Sequence, residues 1–140
     1  MTPRLCLASQ SPRRAELLRQ AGYAFEIVEP KVAETMTPGE DPPLLTERLS
    51  MMKAAAAKKM LGPDSKMEVF LGSDTTVVVD GESLGKPRSE CHAKQMLRRL
   101  SGRTHEVITA VSVLWNNQQA SEVVTSEVMF CSLSEALIDD

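Results

Sequence analysis

The residues with the clearest chemical potential lie near the N-terminus, in the segment Ser9-Gln10-Ser11-Pro12-Arg13-Arg14. The segment follows an apolar run at 5–8, which predicts a buried strand that turns directly into a helix. Ser11 is a favourable N-cap, and Pro12 falls at the first helical position, where its missing N–H costs nothing. Two arginines in a first helical turn oppose the helix dipole, but they suit a multiply charged phosphate bound there. The segment therefore predicts a phosphate site.

Three further ionisable residues could act on a bound phosphate, namely Lys53, Asp74 and Lys86. Asp74 stands at the predicted end of a buried strand, where acids of α/β folds point into the ligand crevice; a carboxylate that caps a loop is the structural alternative. Lys86 follows a glycine and precedes a proline, in a stiff backbone that a ligand can approach closely; a solvated side chain is the structural explanation for such a lysine taken alone. Lys53 lies beside the apolar stripe of a predicted helix, where a snorkelling lysine is the structural explanation.

A second carboxylate, Glu34, lies in a predicted loop and completes a set suited to polyphosphate chemistry. Two carboxylates can hold a divalent metal or activate water, while lysines and arginines neutralise phosphate charge. This set indicates attack on a polyphosphate. His105 opens a predicted strand, and both a structural and a functional role stay open for it.

Composition excludes several classes of protein. The 140 residues suit one domain with a real core, and 42% apolar with 25% charged residues is typical of a soluble globular protein. The net charge of −3 and the aromatic content of 4% argue against nucleic-acid binding. No apolar run is long enough to span a membrane. The three cysteines are scattered, which predicts reduced thiols in a cytoplasmic protein.

Periodicity and turn signals predict the order β-α-β-α-β-β-α-β-β, which is an α/β fold with a mixed sheet and flanking helices. Gly72-Ser73-Asp74 is interpreted as an interruption between two strands, and Asp80-Gly81 is a turn signal. Ser134 resembles a further N-cap, but barely one helical turn follows it, and a helix this short cannot hold itself. We therefore expect a truncated chain. The predicted helices cover 12–21, about 42–61 and 90–100, and the predicted strands cover 5–8, 23–28, 68–71, 75–79, 105–115 and 120–130.

Four motifs follow one another along the chain, namely Ala8-Ser9-Gln10-Ser11-Pro12-Arg13-Arg14, Gly72-Ser73-Asp74-Thr75-Thr76-Val77-Val78, Leu84-Gly85-Lys86-Pro87 and Leu100-Ser101-Gly102-Arg103-Thr104-His105. Taken together, they closely resemble the Maf family of nucleoside triphosphate pyrophosphatases, also described as septum-formation inhibitors. The resemblance covers essentially the whole chain. It implies a mixed-sheet α/β fold related to the inosine-triphosphate pyrophosphatases, with two lobes around a cleft, in a single domain over 1–140 that lacks its C-terminal portion.

The resemblance also implies an activity and a set of site residues. The expected reaction is hydrolysis of dTTP and UTP, with modified nucleotides as further candidates, to the monophosphate and pyrophosphate, as a housekeeping activity dependent on Mg²⁺ or Mn²⁺. Arg13 and Thr75 match the branch that acts on dTTP and UTP, whereas Trp and Gln mark the 7-methyl-GTP branch. The implied catalytic residues are Asp74, Lys86 and Lys53, the substrate-binding residues are Ser9, Arg13, Arg14 and Thr75, and the metal ligands are Glu34 and Asp74.

A second hypothesis is a noncatalytic nucleotide-binding regulator of septum formation, with the chain itself inactive. Family members continue with a Lys-Ala-Gly-Ala-Tyr-like stretch and a Gln that completes the site, and neither is present here. Missing strands would leave an exposed sheet edge. The expected partner is a nucleoside triphosphate, without nucleic acid or membrane, and a homodimer is left open.

Overall fold

The computed structural model describes residues 4–9, 11–33, 39–85 and 88–139, which form a six-stranded sheet with helices. The strand order is β2-β1-β3-β5-β6, and β4 pairs with β3 beside this path. The strands are β1 (Leu5–Ala8), β2 (Phe25–Val28), β3 (Val69–Val79), β4 (Glu82–Leu84), β5 (Thr104–Trp115) and β6 (Gln118–Met129). The helices are α1 (Pro12–Gln20), α2 (Pro42–Leu61), α3 (Glu90–Leu100) and α4 (Glu135–Asp139).

The sheet is mixed, which confirms the predicted fold class. β1 lies between β2 and β3 and is parallel to both, while β5 runs antiparallel to both of its neighbours, β3 and β6. β1 has only four residues, and its last residue, Ala8, pairs with Gly72 of β3. β3 continues for seven residues beyond this point. A crevice therefore opens past the carboxyl end of β1, along the part of β3 that has no β1 partner.

Helix α2 covers one face of the sheet and was predicted with the correct bounds. It begins after Asp41 and ends at Gly62, whose positive φ of 73° suits the end of a helix. Its buried face is built largely from small residues, and it packs on β3 and β5. Small side chains allow the helix backbone to approach the sheet closely. The buried residues of α2 are Leu45, Thr46, Leu49, Ser50, Ala54 and Ala57.

The predicted break at 72–74 is wrong, because β3 runs without interruption from Val69 to Val79. Its register against β5 is continuous from Val69–Trp115 to Val78–Glu106. Gly72 marks a close approach of α2 rather than a turn. Asp74 accordingly lies inside a long strand, at the level where β1 has already ended.

The turn signal at Asp80-Gly81 is confirmed, and it connects β3 to the short strand β4. Both turn residues have positive φ, 53° and 77°, a combination that suits a tight hairpin. The guanidinium of Arg103 holds the pKa of Asp80 below its ordinary value, chiefly by hydrogen bonding to the carboxylate. Burial opposes this effect only in part.

The predicted N-cap at Ser134 is also confirmed, since its Oγ accepts a hydrogen bond from the backbone N–H of Leu137 at 3.2 Å. The five-residue helix α4 exists because tertiary contacts hold it. Arg98 of α3 pairs with Glu135 at 3.1 Å, and Ile138 is buried. The expectation that so short a helix cannot hold itself overlooked these contacts with α3.

Candidate functional site

A cavity of about 840 Å³ lies in the crevice past the carboxyl end of β1. It is enclosed by the end of β1, the start of α1, the segment 30–33, one residue of α2 and two residues of β3. Ligand pockets for small molecules commonly have volumes of roughly 300–1,000 Å³. The cavity is therefore large enough for a nucleotide.

A buried ion pair between Lys53 and Asp74 lies at the wall of this cavity. The ammonium of Lys53 donates a hydrogen bond to Oδ1 of Asp74 at 2.9 Å, and the two side chains are only 15% and 10% exposed. Side chains alternate between the two faces of a strand, so Gly72, Asp74 and Thr76 all face α2. The pair therefore follows from the docking of α2 on β3, and it brings together two of the predicted catalytic residues.

The serines at the end of β1 organise the turn into α1. The backbone N–H of Ser9 donates to the carbonyl of Val28 at 3.1 Å, which ties the turn to β2. The hydroxyl of Ser9 accepts a hydrogen bond from the backbone N–H of Ser11 at 3.0 Å, and the Ser11 hydroxyl accepts one from the N–H of Arg14 at 3.3 Å. Both serines line the cavity, at the N-terminus of α1.

Of the two arginines in the first turn of α1, Arg14 lines the cavity. Its Nη2 donates to Oγ1 of Thr75 at 2.9 Å, and this hydroxyl also lies 3.4 Å from that of Thr109 on β5. Arg13 is exposed and is not among the lining residues. The structure thus pairs Thr75 with Arg14, whereas the family resemblance named Arg13 and Thr75 as the residues that mark the dTTP/UTP branch.

Lys31 also lines the cavity, although the sequence analysis did not single it out. It follows Pro30, which is buried, in a segment whose acids, prolines and glycine indicated only a loop. Among the described lining residues, Arg14, Lys31 and Lys53 carry positive charge and Asp74 carries negative charge. An excess of cations suits a polyanionic ligand such as a triphosphate.

Two predicted site residues, Glu34 and Lys86, lie outside the described residues. Within the described ranges, no group of three or more His, Cys, Asp and Glu side chains could hold a metal. The Asp74 carboxylate nevertheless suits Mg²⁺, which is commonly bound through one or two carboxylates together with substrate phosphates. The donor set therefore fits a metal that is bound jointly with a nucleotide rather than one held in a protein cage.

His105 lies away from this cavity and has a structural environment. Its side chain is buried, and its ring meets that of Phe130 edge to face, with 4.9 Å between the centroids. The three cysteines are free; Cys6 is buried, and burial is the main cause that raises the pKa of its thiol. None of the helices in the described part of the chain has the length and apolarity needed to cross a membrane.

Comparison with known proteins identifies the family to which the chain belongs. A family model described as "Maf-like protein" matches residues 4–140. The dTTP/UTP pyrophosphatase of Vibrio cholerae is 48% identical over 136 residues, which cover 97% of this chain and 71% of that protein. The protein of the same name from Vibrio parahaemolyticus is 49% identical over 135 residues, covering 96% of this chain and 70% of the relative. The chain thus spans about 70% of the length of these relatives.

Solved structures show the same fold at much lower sequence identity. Protein VC0702 from Vibrio cholerae matches with a TM-score of 0.53 and 12% identity, over 93% of this chain and 65% of that one. The Ham1 protein of Staphylococcus aureus matches with a TM-score of 0.58 and 16% identity, over 89% of this chain and 69% of that one. At these identities the likeness concerns the fold alone.

Proposed function

The chain belongs to the Maf-like protein family, and on that premise we propose that it hydrolyses dTTP and UTP to the nucleoside monophosphate and pyrophosphate. Several relatives named dTTP/UTP pyrophosphatase are 42–49% identical to it over nearly its whole length. The observation that carries the proposal is the buried Lys53–Asp74 pair at the wall of a nucleotide-sized, cation-lined cavity.

The triphosphate would bind among the positive side chains of the cavity. Arg14 reaches it from α1, Lys31 from the segment after β2, and Lys53 from α2. Because the cations come from three separate elements, they can surround a triphosphate rather than contact one face of it. The hydroxyl of Ser9 at the end of β1 would orient the phosphates. Arg13 and Lys86 would add further positive charge.

In the proposed reaction, the oxygen of a water molecule bonds to the α-phosphorus while the bond from this phosphorus to the bridging oxygen breaks. Pyrophosphate leaves with the bridging oxygen and the electron pair of the broken bond. Asp74 takes a proton from the attacking water, and we assign this step to Oδ2 because Oδ1 accepts the hydrogen bond of Lys53. Lys53 holds the carboxylate in a fixed orientation, as general-base catalysis requires.

Asp74, together with Glu34, would hold the divalent metal, Mg²⁺ or Mn²⁺. The metal would supply positive charge that neutralises the phosphate oxygens. Neither residue needs a complete protein cage for this role, because the nucleotide phosphates provide the remaining oxygen ligands.

Selection of the pyrimidine nucleotides would involve Thr75 and Arg14, whose guanidinium donates a hydrogen bond to the Thr75 hydroxyl. Arg14, Thr75 and Thr109 form a short polar row from α1 to β5, and the first two line the cavity. A site with fixed hydrogen-bonding groups rejects a ligand that leaves them unpaired. A cytoplasmic location and a role in septum formation remain further parts of the proposal.

Pyrophosphate release from dTTP, UTP, CTP and 7-methyl-GTP, each with Mg²⁺ or Mn²⁺, tests the function. The Vibrio cholerae relative serves as the positive control, because it is 48% identical and carries the name of this activity. We expect turnover of dTTP and UTP and much weaker turnover of 7-methyl-GTP. Nucleotide binding without pyrophosphate release would instead support a noncatalytic binding protein.

A further inference from the structure

The closest approach between α2 and the sheet occurs at Gly72. A Cβ atom at this position would lie 2.1 Å from the carbonyl oxygen of Ser50 and 2.8 Å from the backbone nitrogen of Ala54. Both are backbone atoms of a helix, so they cannot turn aside as a flexible side chain could. Any residue other than glycine would therefore push α2 away from β3.

The ion pair of the site is built on the same two segments. Lys53 directly precedes Ala54 on α2, and Asp74 lies two residues beyond Gly72 on the same face of β3. Ordinary contact begins at 3.4 Å, so the helix backbone would have to retreat by about 1 Å to accept a methyl group. The Lys53–Asp74 hydrogen bond, now 2.9 Å long, spans this gap directly.

Polar contacts between α2 and the sheet, on either side of Gly72, require the same distance between the helix and the strands. Oγ1 of Thr46 donates to Oγ1 of Thr76 at 2.8 Å, and the hydroxyl of Ser50 hydrogen-bonds that of Ser112, the strand neighbour of Gly72. All of these hydroxyls are buried. Because short side chains cannot extend to follow a displaced helix, these contacts between hydroxyl groups would be lost.

We propose that Gly72 is a positioning residue: its missing side chain sets the distance between α2 and β3 at which Lys53 can bond Asp74. The structural part of this proposal stands on the packing alone. Its consequence for catalysis rests on the proposed function, because it assumes that Asp74 takes the proton. A displacement of about 1 Å at a reacting group can cost roughly 10²-fold in rate.

A double-mutant cycle tests the structural part without any assay of activity. The free energy of unfolding is measured in urea for the parent, Lys53→Met, Asp74→Asn and the double variant, and the four measurements are repeated with Gly72→Ala in every protein. We expect the coupling between Lys53 and Asp74 to fall by more than half in the Gly72→Ala background. Unchanged coupling would overturn the proposal. If Gly72→Ala does not fold, Ala54→Val enlarges the helix side of the same contact.

Pyrophosphate release from dTTP tests the catalytic part. We expect Gly72→Ala to lower kcat about 10²-fold with little change in KM. Arg14 and Lys31, which would bind the nucleotide, lie on α1 and in the segment after β2 rather than on α2. Val79→Ala is the matched control, since this buried residue lies on the opposite face of β3; it should lose stability but keep kcat. An active Gly72→Ala variant with the parent's kcat would contradict the proposal. An inactive parent would contradict the proposed function and leave the cycle to decide the role of Gly72.

Discussion

β3 and β6 are strands of nearly equal length in the same sheet, but they differ in how deeply their side chains, including their acidic residues, are buried. β3 has eleven residues, of which seven are buried, and it carries Asp74. β6 has twelve residues, none of them buried, and it lies at the edge of the sheet. Both strands form regular antiparallel ladders with β5. The backbone alone therefore does not explain the difference.

The difference comes from what covers each strand. α2 packs closely on β3, so an acid there loses solvent and needs a partner, which Lys53 provides at 2.9 Å. The two glutamates of β6, Glu122 and Glu127, are exposed, and water solvates them. A carboxylate becomes useful for catalysis where packing fixes its orientation and controls its solvation, which occurs only at the first of these strands.

The largest expected effect is the loss of turnover in Asp74→Asn. The amide cannot take the proton of the attacking water, so kcat for dTTP should fall by about 10²–10⁴-fold. Affinity should change little, because the cations of the cavity remain. The check is pyrophosphate release together with dTTP binding by calorimetry. Turnover equal to that of the parent would remove Asp74 from the mechanism, and Glu122→Gln on β6 is the control.

Lys53→Met should cause the largest loss of stability. It leaves the Asp74 carboxylate buried without its charged partner, which typically costs about 3–5 kcal/mol. Lys58→Met on the same helix is the matched control, because Lys58 is exposed and, within the described part of the chain, donates to the carbonyl of Asn116. Urea unfolding of both variants measures the contrast. A similar loss of unfolding free energy in Lys53→Met and Lys58→Met would mean that the Lys53–Asp74 pair contributes no more to stability than a surface contact.

The two arginines of α1 offer a sharper test within the site. Arg14→Lys removes the guanidinium that bonds Thr75, so affinity for dTTP should fall about 10-fold. Arg13→Lys should have a smaller effect, because Arg13 does not line the cavity. Competition binding with dTTP and 7-methyl-GTP measures both affinities. Equal losses in the two variants would show that Arg13 also contacts the nucleotide.

The smallest effect concerns the packing of the two strands themselves. Val79→Ala on β3 should cost about 2 kcal/mol, because the side chain is 1% exposed and its loss leaves a cavity. Val124→Ala on β6 should change the free energy of unfolding by no more than about 0.5 kcal/mol, since this side chain is 55% exposed. A large loss at Val124 would reveal that β6 is covered in solution.

Local signals were sufficient to predict most of the elements. The N-caps at Ser11 and Ser134 each accept a hydrogen bond from the backbone N–H three residues further along the chain, as their positions predicted. The bounds of α2 followed from Pro42 and Gly62. These features depend on neighbours in sequence, so they can be recognised without knowing the fold.

The failed break at 72–74 has a different cause. Glycine is permissive both in turns and where another backbone approaches closely, and the sequence does not distinguish the two. The position of α2 decides whether Gly72 is a turn residue or a point of close approach, because the backbone of Ser50 and Ala54 lies directly against it. The predicted break was therefore wrong because Gly72 was interpreted as a turn residue, whereas the strand pattern on either side of it was interpreted correctly.

The features of the candidate site also divide into those that local sequence motifs predict and those that only tertiary packing creates. The residue types around Ser9 and Asp74 were enough to predict a phosphate-binding crevice, because their motifs are local in sequence, whereas Thr75 was predicted only from the family resemblance. The sequence did not determine which cations would meet them. Lys53 lies 21 residues from Asp74, and Arg14 lies 61 residues from Thr75. Such contacts depend on where α2 and α1 lie relative to β3, so only the tertiary structure decided that Lys53 pairs with the acid and that Arg14 reaches Thr75.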